Sequence, residues 1–297
     1  MCRMAAYLGP SAPLAVLLSD PPYALGEQAW RARIPGPGGG NAVNVDGTGV
    51  VWWPAGEEQG APLRYVTELP PWADPNLLGL AARLEGAVQL SLVRSATPGL
   101  PYGAWSVAPF VHGRVAVAHN GRIRGFRGAP GRRLLERLPD DLLGELGALT
   151  DSAVLAALVA AELRDRGPGG RKSQAQPGGG PLVDRGLSGG PAAGPRGPED
   201  LAGALGAAVL AVEKVCADAG EAATLTMLAA DGERLAGVRA AIGRASHPLF
   251  TLARSGALLA ASEPLDDDPG WVEVPDRHLV ELTAAGARRR PLDGEVP

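Results

Sequence analysis

The chain has 297 residues and a net charge of −4, from 28 basic and 32 acidic side chains. This balance argues against a nucleic-acid partner, because phosphate binding needs a clustered excess of positive charge. A membrane partner is not expected either, since the longest apolar uncharged run, Leu201–Val212, is shorter than the about 18 residues that a span needs. No secretion signal is predicted, because Pro13 interrupts the apolar stretch Ala12–Leu18. Two cysteines, Cys2 and Cys216, cannot build a disulfide framework, which favours a reducing cytoplasm.

Short strands and helices alternate in the first half of the chain. Val88–Val93 and Arg114–Ala118 are apolar runs of strand length that are rich in valine. A helix is predicted before the first of these strands, with Asp74 as its cap and Pro75 at its first position. The side chains predicted to face inward from this helix are Leu77, Leu78, Leu80, Ala81 and Leu84. The apolar spacing in Thr150–Asp165 predicts a second helix.

Glycine and proline are concentrated in residues 167–198. Such a composition offers too little apolar surface to offset the entropy lost on ordering it. We therefore predict a flexible insertion there, and a lid over a site is the alternative.

The last part of the chain combines one long helix with several short strands. The helix is predicted over Glu199–Ala219, and Cys216 lies on its apolar stripe, which favours a buried structural thiol over a catalytic one. Asp231-Gly232 and Ser255-Gly256 predict two hairpin turns, and two more strands follow at about 271–274 and 278–282. Strands in both parts with helices between them indicate a layered α+β fold. We expect a single domain over residues 1–297.

Cys2 follows the initiator methionine, and its side chain is small enough for that methionine to be removed. Removal would leave one residue that carries both a thiol and a free α-amine, whose ordinary pKa is about 7.7–8. A nucleophile that uses its own terminal amine as the base is a known arrangement for acyl transfer. A cysteine at this position is a weak signal by itself, so the interpretation depends on further motifs.

Five short motifs supply the further residues, in a specific order and spacing. They are Met1-Cys2-Arg3, Asn44-x-Asp46-Gly47, Arg94-x-Ala96-Thr97, His119-Asn120-Gly121 and Thr150-Asp151-Ser152. Together they resemble the class II glutamine amidotransferases, which are N-terminal-nucleophile hydrolases. The resemblance spans nearly the whole chain outside residues 167–198, and it implies a four-layer αββα sandwich.

Within that family the chain is most similar to the ergothioneine-biosynthesis amidohydrolases. Three further segments carry this similarity, Val93–Gly99, Ala108-Pro109-Phe110 and Ser262-Glu263-Pro264-Leu265. The resemblance implies removal of the γ-glutamyl group from a small-molecule substrate, γ-glutamyl-hercynylcysteine S-oxide, by a glutaminase-like domain that stands alone. It implies neither a metal nor an organic cofactor.

The resemblance also implies a role for each motif residue. Cys2 attacks the γ-carbonyl, and its own amine takes and returns the proton. Asn120, through its side-chain amide, and Gly121, through its backbone N–H, form an oxyanion hole in which each donor is worth about 3–4 kcal/mol. Arg94 binds the substrate α-carboxylate through its bidentate fork, and Asp151 binds the α-ammonium.

Thr97 and His119 complete the expected substrate-binding set, and His119 is expected to orient its loop rather than to transfer a proton. Asp46-Gly47 is interpreted as a structural turn before the strand Gly49–Trp53. Taken singly, the charged motif residues have ordinary explanations, such as a solvated arginine or an aspartate that complements a helix dipole. Their convergence around the terminal cysteine favours the catalytic interpretation.

Two alternatives stay open. The first is a glutaminase subunit that passes ammonia to a separate synthetase, since the chain has no Gly-x-x-x-x-Gly-Lys-[Ser/Thr] phosphate loop of its own. The second is a catalytically degenerate member of the family that serves as a binding protein.

Overall fold

The computed structural model describes residues 2–35, 43–97, 99–166 and 200–292, so the insertion predicted at 167–198 lies outside the described residues. The strands are β1 (Arg3–Pro13), β2 (Thr48–Trp53), β3 (Leu63–Thr67), β4 (Glu85–Val93), β5 (Phe110–His112), β6 (Val115–Ile123), β7 (Ala223–Ala230), β8 (Leu235–Arg239), β9 (Ala241–Ile242), β10 (Phe250–Arg254), β11 (Ala257–Ala261), β12 (Val272–Glu273), β13 (His278–Thr283) and β14 (Gly286–Pro291). The helices are α1 (Ala15–Leu18), α2 (Leu25–Gln28), α3 (Leu77–Ala81), α4 (Ala129–Leu135), α5 (Asp140–Gly144), α6 (Asp151–Arg166) and α7 (Asp200–Ala219). Over these ranges, none of the helices has the length and apolar character needed to cross a bilayer.

Two antiparallel sheets are stacked face to face. The first sheet has the strand order β12-β10-β11-β1-β4-β2-β3, and the second has the order β14-β13-β8-β7-β6-β5, with β9 paired to β7. Strands β1 and β4 of the first sheet pack on β6 and β7 of the second. Met4, Leu90 and Ala118 are among the fully buried side chains of the core that the two sheets share.

Helices cover the outer face of each sheet. The long helices α6 and α7 pack on strands of the second sheet, and the single-turn helices α1 and α2 pack on β1 and β4 of the first. A second apolar cluster, which includes Ala5, Leu17 and Leu25, fills the space under α1 and α2. The expected four-layer αββα sandwich is therefore confirmed.

The central strand β1 is apolar on both faces because both faces are covered. Met4 and Ala6 point into the core between the sheets, whereas Ala5 and Tyr7 belong to the cluster under the short helices. Successive side chains alternate between the two faces of a strand. Cys2, two residues before Met4, accordingly packs against the core between the sheets.

Several elements agree with the sequence-based predictions. Helices α6 and α7 match the two predicted long helices to within a residue or two, and β4 contains the predicted run Val88–Val93. The predicted hairpins pair β7 with β8 and β10 with β11. In the second hairpin, Ser255 and Gly256 have φ angles of 51° and 77°, as a tight two-residue turn requires.

The strand predicted to end at Ala118 continues to Ile123. His119, Asn120 and Gly121 therefore lie inside β6, where they pair with Met227, Thr226 and Leu225 of β7. The predicted strand is therefore correct in place but five residues too short at its C-terminal end. Tertiary pairing with β7 overrides the turn preference of an Asn-Gly dipeptide.

Helix α3 is shorter than predicted. Asp74 caps it through its Oδ1 atom, which accepts hydrogen bonds from the N–H groups of Asn76 and Leu77. Only one turn follows, so Leu77 and Ala81 are buried while Leu78 and Leu80 face solvent. The prediction that all five apolar side chains of this helix face inward was therefore wrong for Leu78 and Leu80.

Strands β1 and β14 were not predicted from the sequence. The first has the composition Arg-Met-Ala-Ala-Tyr-Leu-Gly-Pro-Ser-Ala-Pro, in which alanine, glycine and proline have low strand propensity. It is held by neighbours on both sides, β11 and β4. Long-range pairing therefore decides its conformation.

The shared core between the sheets should dominate stability. We expect Leu90→Ala to lower the free energy of unfolding by about 2–5 kcal/mol, because Leu90 is fully buried and its removal leaves a cavity. Leu78→Ala is the matched control, since Leu78 is 48% exposed and its loss should change stability by less than about 0.5 kcal/mol. Urea unfolding of both variants measures this, and equal effects would contradict the assigned faces.

Candidate active site

Strand pairing places three motifs at one end of the first sheet. Val93 of β4 lies opposite both Arg3 of β1 and Thr48 of β2. Beyond this row, the next residue is Cys2 before β1, Arg94 after β4 and Gly47 before β2. The pairing continues beyond the strand ends, because the Arg94 N–H donates to the Gly47 carbonyl at 2.8 Å.

The Cys2 thiol contacts the backbone of the residue after Arg94. Its sulfur accepts a hydrogen bond from the Ser95 N–H at 3.5 Å and lies 3.7 Å from the Ser95 carbonyl. Cys2 as a whole is half-buried. Ser95 was missed in the sequence, where it was the variable position of the Arg94 motif, because a backbone contact leaves no side-chain signal.

Arg94 is a buried cation that braces the loop around the thiol. It donates to the carbonyls of Asp46 and Pro101, at 3.5 and 2.9 Å, and its guanidinium lies 5.7 Å from the centre of the Tyr102 ring. A guanidinium has five N–H donors. The donors that these two carbonyls leave free are sufficient for a bidentate contact with a carboxylate.

Asp46 and Gly47 shape the same loop. The Asp46 carboxylate accepts a hydrogen bond from the Ala96 N–H at 2.7 Å. Gly47 has a φ of 126°, and a side chain there would collide with Val107. These contacts support the structural interpretation of this motif, which orients the backbone on which Arg94 lies.

His119 and Asn120 point to opposite faces of β6. The His119 ring reaches the helix layer, where Nδ1 lies 2.9 Å from the Ser152 hydroxyl of α6. Asn120, the next residue, therefore faces the first sheet. Because Cys2 faces the second sheet from the opposite side, the fold directs the thiol and the Asn120 amide into the same gap between the sheets.

His119 is a neutral structural link. Burial lowers the pKa of its imidazole, and the nearby Asp151 charge and the Thr224 carbonyl only partly oppose this. Nε2 lies 2.9 Å from the Thr224 carbonyl, which can only accept, so Nε2 carries the proton and Nδ1 accepts from Ser152. This geometry supports the expectation that His119 orients its surroundings rather than transferring a proton.

The Asn120 amide is buried without a partner. Asn120 is 1% exposed, and neither Oδ1 nor Nδ2 makes a hydrogen bond within the described part of the chain. Buried amide groups are nearly always paired, and an exception calls for an explanation. An oxygen atom of a ligand in the gap would satisfy the Nδ2 donor.

Gly121 is required by close backbone packing. A Cβ atom at this position would overlap the Thr224 carbonyl oxygen and would crowd Nε2 of His119. No other residue therefore fits without moving β7 away from β6. The position of the Asn120 amide depends on this close approach.

Asp151 joins the start of α6 to the end of β6. Its buried carboxylate accepts hydrogen bonds from the N–H groups of Ile123, at 3.0 Å, and Ser152, at 2.9 Å. A carboxylate has about four acceptor sites. Two of them are therefore left for a substrate ammonium.

A cavity of about 360 Å³ lies between the loop that follows Arg94 and the end of β6. Thr97, Gly99 and Leu100, from the loop that begins at Arg94, form one wall, and residues 122–127, from the end of β6, form the other. Thr97 is thus the one expected substrate-binding residue that lines the cavity directly. The first wall follows Ser95 in the chain, and Ser95 contacts the thiol. The second wall follows Asn120-Gly121 in the chain.

A buried ion pair holds the backbone of Cys2. Nη1 of Arg3 donates to the Cys2 carbonyl at 3.3 Å, and Nε lies 3.5 Å from Glu263. The Glu263 carboxylate also accepts from the N–H groups of Arg33 and Ile34. Burial lowers the pKa of Arg3, and Glu263 opposes this. Both residues belong to motifs noted in the sequence, but no role was assigned to them there.

His247 is a second buried histidine near the gap, and it was also missed. Its carbonyl accepts from the hydroxyl of Thr226, the residue paired with Asn120, and its Nδ1 has no partner among the described residues. Burial is the main cause that lowers its pKa to about 3, and the positive charges of Arg3 and Arg244 act in the same direction. His247 is therefore neutral in the folded protein at pH 7.

The buried histidines make stability depend on pH. Below the ordinary histidine pKa of about 6.5, the unfolded chain takes up protons that the folded chain does not, so stability is lost as pH falls. For His247, whose folded pKa is about 3, the loss approaches about 1.4 kcal/mol per pH unit. We expect His247→Asn to flatten the decline of unfolding free energy between pH 6.5 and 4.5, measured by urea unfolding. An unchanged slope in the variant would contradict a neutral buried His247.

Two solved structures superpose on this chain over 99% of its length. A glutamine aminotransferase class-II domain protein from Silicibacter pomeroyi superposes with a TM-score of 0.64 at 20% identity, over 99% of this chain and all of that one. The glutamine phosphoribosylpyrophosphate amidotransferase of B. subtilis superposes with a TM-score of 0.59 at 14% identity, over 99% of this chain and 50% of that one. At these identities the comparison shows the fold alone.

Relatives of known name match this chain over nearly its full length. No family model matches the chain. A γ-glutamyl-hercynylcysteine sulfoxide hydrolase of Mycolicibacterium smegmatis is 31% identical over 292 residues, which cover 98% of this chain and 100% of the relative. A hydrolase of the same name from Mycobacterium tuberculosis is 31% identical over 99% of this chain and 97% of its own. The chain therefore belongs to the family of the γ-glutamyl-hercynylcysteine sulfoxide hydrolases, with the fold of the class II glutamine amidotransferases.

Proposed function

We propose that this protein hydrolyses the γ-glutamyl amide bond of γ-glutamyl-hercynylcysteine sulfoxide, through a γ-glutamyl thioester on Cys2. The reaction is the one named for its full-length mycobacterial relatives. The observation that carries the proposal in this chain is the buried, unpartnered amide of Asn120, which faces the gap that also receives the Cys2 side chain. A preorganised donor in a site sheltered from water is what a developing oxyanion needs.

Cys2 first forms the thioester with the γ-glutamyl group, and water then hydrolyses it. After removal of Met1, the α-amine of Cys2 takes the thiol proton, and the sulfur attacks the γ-carbonyl carbon. The carbonyl oxygen becomes an oxyanion, which the Asn120 amide and the Gly121 N–H stabilise. When the carbon–nitrogen bond breaks, the ammonium of Cys2 returns its proton to the leaving amine. The same α-amine then takes a proton from water, and the water oxygen attacks the thioester carbon. The carbon–sulfur bond breaks, the ammonium returns its proton to the sulfur, and glutamate is released.

Two charged residues position the glutamyl group. Arg94 binds its α-carboxylate with the N–H donors that the carbonyls of Asp46 and Pro101 leave free. Asp151 binds the α-ammonium with the acceptor sites that the backbone leaves free. Thr97, on the wall of the cavity, supplies a hydroxyl to the same substrate. Opposite charges on the two binding side chains select the zwitterionic end of glutamate.

Labelling by a diazoketone analogue of glutamine tests the nucleophile. Intact mass spectrometry should show a chain without Met1 and one covalent adduct, located on Cys2. Cys216→Ser is the matched control and should label fully, because burial raises the pKa of the Cys216 thiol to about 11 and keeps it unreactive. Cys2→Ser should not label. Retention of Met1, or an adduct on another residue, would contradict the mechanism.

Removal of the oxyanion donor tests the role of Asn120. We expect Asn120→Ala to lower kcat by about 10²–10³-fold with a small change in KM, because the amide acts on the transition state. Ser91→Ala is the matched control, since the Ser91 hydroxyl is also buried and has no hydrogen-bond partner among the described residues. On β4, Ser91 lies opposite Ala5 of β1, and both side chains point away from the gap. Equal kcat losses in both variants would indicate a folding defect.

The choice of substrate distinguishes a hydrolase from an ammonia-supplying subunit. We expect γ-glutamyl amides of bulky amines to be hydrolysed with a higher kcat/KM than glutamine, measured by glutamate release. Cys2→Ala should abolish both activities. Faster turnover of glutamine would favour the glutaminase subunit, and activity that survives Cys2→Ala would remove the proposed nucleophile.

A further inference from the structure

A buried charged cluster joins the backbone of Cys2 to residues 33 and 34. Arg3 is 4% exposed, and its guanidinium donates from Nη1 to the Cys2 carbonyl at 3.3 Å and from Nη2 to the Ile34 carbonyl at 2.7 Å. Glu263, which is 1% exposed, lies 3.5 Å from Nε of Arg3. The Glu263 oxygens accept from the N–H groups of Arg33, at 2.8 Å, and Ile34, at 2.9 Å. Both charged groups are therefore fixed in place by several partners.

Arg3 contacts the carbonyl of the residue that becomes the chain terminus. After removal of Met1, no peptide unit precedes Cys2, so the torsion about its Cα–C bond sets the direction of its amine. A hydrogen bond to the Cys2 carbonyl oxygen restrains this torsion. The amine lies within about 3.6 Å of that oxygen at any torsion, and therefore within about 7 Å of Nη1 of Arg3.

The same contact places a positive charge beside the amine. A guanidinium stays protonated in proteins at every pH at which an enzyme is assayed. A nearby cation disfavours the ammonium form of an amine and so favours the neutral form, which can take a proton from a thiol. The Glu263 carboxylate acts in the opposite direction, but it contacts Nε of Arg3 rather than the backbone of Cys2.

Other charged or titratable side chains lie on the elements around the gap. They are Asp46, Arg94, His119, Asp151, Arg244 and His247. The two histidines are neutral, because burial lowers the pKa of each imidazole. These groups form a constant background when Arg3 or Glu263 is replaced, so each replacement changes the charge near the amine by one unit.

We propose that Arg3 is a positioning residue for the nucleophile, which holds the Cys2 carbonyl and keeps a positive charge beside the terminal amine. The inference rests on the proposed function, in which this amine is the base. An arginine suits the task because one planar group reaches two carbonyls and a carboxylate at once. The alternative is a purely structural ion pair that ties residues 33 and 34 to β1.

Two single replacements distinguish these roles, because both break the same ion pair but change the charge in opposite directions. The acid limb of the pH profile of kcat/KM reports the essential base of the free enzyme. With γ-glutamyl-hercynylcysteine sulfoxide as substrate, Arg3→Gln should move this limb to higher pH by about 0.4 unit or more, the effect of a unit charge about 7 Å away in water. Glu263→Gln should move it to lower pH. Arg3→Gln should also lower kcat about tenfold with little change in KM.

Arg33→Gln is the matched control, because Arg33 binds Glu263 through its backbone N–H while its exposed side chain pairs with Asp267. Its pH profile and kcat should equal those of the unaltered enzyme. Arg3→Lys keeps the charge and should keep the acid limb in place even where kcat falls.

Acid limbs that move in the same direction in Arg3→Gln and Glu263→Gln, or that do not move, would overturn the proposal and leave the pair a structural tie. If a single variant does not fold, the double variant Arg3→Gln, Glu263→Gln removes both charges. Its acid limb should still move to higher pH, because the guanidinium is the charge that contacts Cys2.

An NMR titration without substrate separates this inference from the chemistry. The chain has two cysteines, so growth of the Cys216→Ser protein on ¹³C-cysteine labels Cys2 alone. Capping its thiol with methyl methanethiosulfonate leaves the amine as the group that titrates there. The pKa of the amine, followed by the Cα chemical shift, should rise in Arg3→Gln and fall in Glu263→Gln.

The outcomes assign failure to one proposal or the other. If these shifts are found in a protein that hydrolyses no γ-glutamyl amide, the proposed function fails and the positioning role of Arg3 stands. If hydrolysis depends on Cys2 but the shifts are absent, the positioning role fails and the proposed function stands. A chain that retains Met1 has no amine on Cys2 and overturns both.

Discussion

The antiparallel register at Val93 is the constraint on which the site depends. Because Val93 lies opposite Arg3 on one side and Thr48 on the other, Cys2, Arg94 and Gly47 are level at one end of the sheet. A shift of one residue would turn every side chain of β1 to its opposite face. Cys2 would then point under the short helices instead of toward the second sheet. The core between the sheets fixes the register, and the register positions the thiol.

The polar groups of the site are buried at a cost in stability that the free protein does not recover. An unpaired buried amide such as that of Asn120 costs about 1–3 kcal/mol. The neutral imidazoles of His119 and His247 and the buried ion pair of Arg3 with Glu263 are further groups that water would solvate better. Under the proposed function, the donor of Asn120 gains its partner only when the oxyanion forms. An interaction made only in the transition state accelerates the reaction instead of tightening substrate binding.

The sequence predicts the long, locally coded elements and the set of motifs, but not how they are arranged. Helix α6 and the hairpin turns follow from apolar spacing and glycine positions, which are local signals. Strand β1 has no such signal, because its alanines and prolines become a strand only between β4 and β11. The last five residues of β6 were missed for the opposite reason, since pairing with β7 overrides the local turn preference of Asn120-Gly121. The contact between Ser95 and the thiol, which is made by the backbone, could not be predicted at all.

The proposed reaction needs one half of the substrate to stay bound while the other half departs. Under the proposed function, Arg94 and Asp151 hold the glutamyl group, and both side chains are buried and braced by backbone groups. The glutamyl group is therefore retained on the sulfur after the carbon–nitrogen bond breaks, whereas the leaving amine is no longer attached to it. Departure of this amine makes room at the thioester for the water that hydrolyses it.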